Sequence, residues 1–387
     1  MTPPARIAAA IEILDQILDG QSAEQILTNW ARRNRYAGSG DRRAIRDLVF
    51  DAIRRQRSYA RLGHGLSGRG LMIGALRAAG TPSSDMFTGQ GYAPSPLTEV
   101  EQAPPPPLSE LDALDCPDWI APHLRQDLGL DFAQTMALMR DRAPLFLRVN
   151  VRKGDLETAR HSLAQDGIDS LPHTLSPTAL QVTSGASKVQ RSKAYLSGLV
   201  EIQDVASQAV CAEIPIPDGI RVLDLCAGGG GKSLALAARA TARFYAHDIH
   251  LQRMADLPDR SARAAASITV LTSDDDLARH APFDLVIVDA PCSGSGAWRR
   301  QAEAKWRLTP ERLIELTDLQ ARLLDQAATL ITDNGRIAYI TCALLAVENA
   351  DQVNGFLARH PGWRCDLGRQ ILPSDGGDGL FVALLSR

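Results

Sequence analysis

Lysine is scarce: five occur in 387 residues, and none precedes Lys153. The six cysteines, at 116, 211, 226, 292, 342 and 365, are scattered and form no CxxC pair. That spacing offers neither a disulfide framework nor a zinc knuckle, so no metal is expected. No apolar run approaches the roughly 20 residues needed to span a bilayer, so no membrane partner is expected either. "MTPPARIAAAIEILDQ" lacks the uninterrupted apolar stretch of a secretory leader because Glu12 and Asp15 interrupt it, and a cytoplasmic location is the expectation. No internal repeat is evident. What remains is ordinary for a globular chain, 45% hydrophobic and 22% charged, long enough for two or three domains with one large core.

The net charge of −3 conceals an asymmetry. Residues 1–75 hold 12 arginines against 7 acids, mostly in "ARRNR", "DRRAIRD" and "AIRRQR"; the next 45 residues hold 1 arginine and 7 acids. A solvated helix face would look like this, and so would a surface that attracts phosphate backbones. Composition leaves both open.

Apolar residues at 7, 11, 14, 17 and 18 have helical spacing, and "SAEQILTNWARR" and "DRRAIRDLVFDAIRRQ" continue it. Residues 1–80 therefore read as an all-α domain. Residues 81–113, culminating in "APPPPL", read as a Pro/Gly-rich linker. Residues 114–205 mix "LFLRVNV", "TALQVTS" and "GLVEIQD" strands with helical stretches, as a small α+β unit does. From 206 to 387 short apolar strands alternate with helices, which implies a doubly wound parallel sheet of Rossmann-like α/β class. "PERLIELTDLQARLLDQAATLI" is one such helix, with Thr309 as cap and Pro310 at its first position.

Ligands of such sheets bind outside the carboxyl ends of the strands. That rule gathers "DLCAGGGGKS" (224–233), Asp248, Asp274, "DAPC" and "TC" on one edge. A P-loop needs glycine where Cys226 stands, although Gly231, Lys232 and Ser233 fit it. Asp248 lies 24 residues after Asp224, where an acid accepts from a ribose, and Asp274 ends the next strand, placed for an adenine amine. With no GxGxxG fingerprint, the pattern points to an adenosyl ligand without phosphates, S-adenosyl-L-methionine. The competing reading of each acid is a helix N-cap.

"VDAPCSGSGAWRR" and "GRIAYITCALLAVEN" each end a buried-strand pattern in a cysteine, Cys292 and Cys342, 50 residues apart. A cysteine at the mouth of a sheet is placed to act as a nucleophile, and two at neighbouring strand ends can divide attack and release between them. The residues alone say that one attacks and one assists.

Together with "AHDIHLQR", "TSD", "APLFLRVN", "VEIQDVASQ" and "DGLFVALL", these motifs resemble the RNA 5-methylcytosine methyltransferases of the Sun/RsmB type over residues 115–387. The helical N-terminus more weakly resembles the NusB-like RNA-binding domain of the bacterial branch. The resemblance implies Cys342 as nucleophile, Cys292 as release group, Asp289 on the extruded cytosine, and Lys232 beside them. It implies a cofactor site of Cys226, Ala227, Gly228, Gly229, Gly230, Gly231, Lys232, Asp248, Arg253, Asp274 and Asp289. Arg148, Asn150, Arg299 and Arg300 become the RNA contacts, with Trp306 either stacking on a base or packing inward. Two departures stand out: "CAGGGGK" where the family has "CAAPGGK", and "QAEAKW" where it has an Asn/His-Pro step.

The resemblance implies a monomeric RNA methyltransferase acting on unpaired or extruded cytosine, with small-subunit ribosomal RNA favoured as partner over transfer RNA. A P-loop NTPase and a non-catalytic RNA-binding protein are the alternatives of other classes.

Overall fold

In the computed structural model, which describes residues 1–387, Thr2 caps the first helix by accepting the Ala5 amide at 3.4 Å. Pro3 then starts α1, Pro3–Leu18, where a missing N–H costs nothing. Helices α2 (Ala23–Arg33), α3 (Ser39–Arg54), α4 (Gln56–Leu62) and α5 (Gly68–Ala78) follow. Ile13, Leu14, Trp30, Ile45, Val49, Leu71 and Met72 interlock in one buried cluster; of the five positions whose spacing predicts α1, Ile7, Leu14 and Ile17 are buried in it and Ile11 and Leu18 pack against it. This all-α unit comprises Met1–Arg142 together with Trp298–Arg307.

Residues 81–113 carry little regular structure, yet they are clasped to the helices. Arg69 forks onto Glu101 and donates to the Ser95 and Pro96 carbonyls, while Arg57 binds Asp112 at 2.9 Å. Proline-rich backbone makes no ladder, so arginine donors satisfy its carbonyls instead.

The segment Trp298–Arg307 packs into this unit through the short helix Ala302–Arg307. Ala302 enters the helical core, buried Lys305 donates to the Arg54 carbonyl at 2.9 Å, and Trp306 Nε1 donates to the Ile53 carbonyl at 2.7 Å. Of the two roles open to Trp306, inward packing is the one observed. Burial pushes the Lys305 pKa down to about 8 despite the attraction of Asp115.

The second unit, Ala143–Ala297 with Leu308–Arg387, contains two sheets. The smaller is antiparallel with order β2-β3-β1-β4, formed by β1 (Leu145–Val149), β2 (Ser170–Pro172), β3 (Ala179–Val182) and β4 (Val200–Ile202). The larger has seven strands: β5 (Arg221–Asp224), β6 (Arg243–His247), β7 (Ile268–Leu271), β8 (Phe283–Asp289), β9 (Ile331–Thr341), β10 (Arg364–Ile371) and β11 (Leu380–Ser386). Its order is β10-β11-β9-β8-β5-β6-β7, with β5 to β9 parallel and β10 and β11 antiparallel. This is the Rossmann-like architecture the alternation implies. Val286, Ile287 and Val288 are fully buried on β8, and each such side chain contributes about 1.5–3 kcal/mol. The strand order reverses between β5 and β8, so the crevice for a ligand opens at their carboxyl ends.

Candidate active site

The turn after β5 is tight. Gly230 adopts φ +74° to cap the helix Gly231–Ala237, and a Cβ there would lie 2.3 Å from the Leu257 side chain. Asp248, after β6, accepts the Gly228 amide at 2.9 Å and the His250 amide at 2.9 Å, and meets Arg253 at 3.3 Å. Asp274 is 90% exposed and faces His247 Nε2 at 3.7 Å. The helix it begins is capped by Ser273, so Asp274 is not consumed as an N-cap.

Asp224 ends β5 fully buried. One oxygen accepts the Ser233 hydroxyl at 2.6 Å and the other has no partner. Burial pushes its pKa from 3.8 up to about 7, against the Ser233 bond and helped by the charge of Asp289. The folded state therefore retains a proton that the unfolded chain has already released, so this group makes stability fall as pH rises from about 4 to 7. Asp224→Asn should flatten the fall, measured as melting temperature against pH; an unchanged slope would show that other groups set it.

Strands β8 and β9 lie side by side, Asp289 opposite Ile340, so the loops beyond them converge. Cys292 Sγ and Cys342 Sγ stand 3.3 Å apart, both half-buried. Contact with Cys342, reinforced by burial, raises the Cys292 pKa well above the ordinary thiol value. The other cysteines read as inert: burial pushes Cys211 and Cys116 up to about 11, and raises Cys226 and Cys365.

Lys232 reaches from the glycine turn to bond Asp289, with side-chain exposures of 11% and 34%. Burial works against its ammonium, but Asp289, aided by Cys211 and Cys342, outweighs burial and holds Lys232 charged. Cations and thiols thus share one edge.

Two groups that sequence reasoning missed hold the "DAPCSG" loop. Fully buried Glu348 accepts the Ser293 amide at 2.7 Å, the Ser293 hydroxyl, and Gln320 Nε2 at 3.1 Å; Gln320 also donates to the Pro291 carbonyl at 2.9 Å. The available signal was a lone acid inside the apolar "ITCALLAVEN". Gly296 then joins the two loops, donating to the Cys342 carbonyl at 2.9 Å and accepting from Gly379 at 2.8 Å. A Cβ on Gly296 would meet the Gly379 carbonyl oxygen at 2.0 Å. Gly296→Ala is therefore expected to cost about 1–3 kcal/mol in denaturant unfolding, because rigid backbone must move. A wild-type midpoint would contradict this close approach.

Two of the sequence-assigned RNA residues are turned inward. Arg148 is 4% exposed and donates to Gln203 and, at 2.9 Å, to the Gly231 carbonyl, bracing the glycine turn. Asn150, also buried, donates to the Gly198 and Ala264 carbonyls at 3.2 and 2.8 Å. Neither side chain lies on the surface as the RNA-contact reading requires. Arg299 is buried and Arg300 exposed; both belong to the helical unit, whereas both thiols belong to the other.

A family model described as 16S rRNA methyltransferase RsmB/F matches residues 215–386, and one for the ferredoxin-like domain of RsmF/B-like methyltransferases matches residues 116–189. A ribosomal RNA small subunit methyltransferase B from Xylella fastidiosa is 35% identical over 286 residues, covering 70% of this chain and 68% of the relative. The chain belongs to this family. A namesake from Photorhabdus laumondii is 31% identical over 285 residues, covering 70% of this chain and 66% of the relative. The matched regions thus span about two-thirds of these relatives' lengths. Among solved structures, that of PH0851 aligns over 100% of this chain and 99% of its own, with TM-score 0.81 and 24% identity. A methyltransferase homolog from Pyrococcus horikoshii aligns over 71% of this chain and 97% of its own, with TM-score 0.62 and 21% identity. At these identities the likeness shows the fold.

The family's cofactor, S-adenosyl-L-methionine, fits the residues present. Gly228 and Gly230 hold the turn at positive φ, Asp224 keeps an unpartnered buried oxygen, and Asp248 and Asp274 stand at the next strand ends.

Proposed function

We propose that this protein methylates carbon 5 of a cytosine in small-subunit ribosomal RNA through a covalent bond to Cys342. The observation that carries the reading is the 3.3 Å separation of two thiols at the ends of β8 and β9, beside the Lys232–Asp289 pair. Two thiolates this close would repel, so one sulfur attacks while the other keeps its proton, and the family resemblance gives the attack to Cys342. Cys342 therefore attacks carbon 6 as thiolate, forming the sulfur–carbon bond and moving the electron pair to carbon 5. Bound S-adenosyl-L-methionine supplies an electrophilic methyl group, held by the glycine turn with Asp248, Asp274 and Asp289. Once Cys342 is bonded to carbon 6 its charge no longer opposes ionisation of Cys292, which gives its proton to water and then takes the proton from carbon 5; that C–H electron pair re-forms the C5–C6 double bond, the carbon–sulfur bond breaks, and Cys342 leaves as thiolate. Asp289 hydrogen-bonds the pyrimidine edge and Lys232 fixes the carboxylate.

Bisulfite sequencing of total RNA from cells with and without the gene tests this reading. One small-subunit cytosine should lose protection when the gene is removed. A lost mark in transfer RNA instead would change the substrate, and an unchanged map would refute the activity.

A further inference from the structure

Beyond the catalytic edge, a groove of about 530 Å³ lies where α2 meets α3 in the helical unit. Leu27, Trp30 and Ile45 line its buried floor, and Arg32, Arg35, Arg42 and Arg46 stand around it. No acid lines the groove. Glu24 pairs with Arg46 on the exposed surface, and Arg42 gives one N–H to the Ala37 carbonyl at 2.9 Å. The side chains of Arg32 and Arg35 make neither ion pair nor hydrogen bond. Folding gains little from placing Arg32 and Arg35 beside two further arginines, because like charges repel. Beside them in the same turn, Tyr36 is 72% exposed, where a tyrosine serving the core would be buried.

We propose that this corner docks an unpaired stretch of the RNA substrate, its phosphates among the four arginines and one base stacked on Tyr36. The inference rests on the reading of the substrate as RNA and deepens it by naming where the strand is held. Guanidinium forks match phosphate oxygens, and aromatic faces accept any base without reading its sequence. An acidic protein would satisfy the arginines but leaves the exposed Tyr36 without a purpose. The groove therefore supplies affinity and leaves base choice to the catalytic edge.

The test uses the full chain, a labelled transcript of small-subunit ribosomal RNA, and fluorescence anisotropy over a range of salt concentrations. Arg32→Glu with Arg35→Glu should weaken binding at least tenfold near 0.1 M salt. Losing two phosphate contacts should also reduce the slope of log Kd against log salt by about 1.4, since each contact on a single strand contributes about 0.7. Tyr36→Ser should weaken binding of the transcript with an unchanged salt slope, because stacking releases no counterions. All three side chains are exposed, so thermal melting should match the wild type and a folding defect would be visible. Wild-type affinity and salt slope in the double variant would overturn the proposal, as would equal loss from charge reversal at Arg322 of the catalytic unit. Wild-type protein that binds the transcript here yet methylates none of it would refute the proposed activity and leave the docking site standing.

Discussion

Cys292→Ala protein should accumulate RNA attached covalently through Cys342, while Cys342→Ala protein should form no adduct and transfer no methyl group. The two outcomes follow from one geometry, two sulfurs 3.3 Å apart at the ends of neighbouring strands. On the proposed mechanism nothing makes carbon 5 nucleophilic without Cys342, and the expected loss of about 10⁴-fold or more in kcat corresponds to roughly 5.4 kcal/mol of barrier. Without Cys292 the attack still occurs, but the group that removes the carbon 5 proton is gone and release stalls. The readout is a denaturing gel with labelled transcript, in which a slow band appears for Cys292→Ala and vanishes in the double variant. An adduct on Cys342→Ala protein would exchange the assigned roles. No adduct on any variant, alongside normal turnover, would end the covalent mechanism.

Asp289→Asn should lower kcat by about 10²-fold or more and also lower the melting temperature. The ammonium of Lys232 is nearly buried, and the amide leaves it without a counter-charge. Breaking a buried ion pair from one side costs about 3–5 kcal/mol; because Asp289 is one-third exposed, about 2–3 kcal/mol is the expected size here. Structural and chemical roles separate in the double variant Lys232→Met, Asp289→Asn. Removing both charges should restore most of the lost stability, since an apolar chain of similar volume suits the site. Activity should stay low, because the pyrimidine still lacks its acidic partner. Recovery of activity with stability would show that the pair serves only the fold.

Much of this site was legible in the chain because parallel βα repeats place every strand's carboxyl end on one edge. Reading "RVLDL", "FDLVIVDA" and "RIAYITC" as strands was enough to bring Asp224, Cys292 and Cys342 to the same crevice. The cap at Thr309 and the helix Pro310–Thr329 were legible for the same local reason, as the Thr309 hydroxyl accepts the Arg312 amide at 3.2 Å. The resemblance, and not periodicity, distinguished one thiol from the other.

Other features depend on partners far along the chain. Arg148 and Asn150 sit in a motif that looked suited to RNA, yet their side chains join β1 and its flanking turn to Gly231 and Ala264, 83 and 114 residues away. Lys305 and Trp306 follow the catalytic loop in sequence but bond to carbonyls 251 and 253 residues earlier. By itself the sequence determined which faces are apolar, where the chain turns, and which strand ends carry acids and thiols. Those properties are local, written in spacing and residue type. Only the tertiary structure decided which polar side chain is buried against which distant backbone, because a hydrogen bond across the chain leaves no period to read.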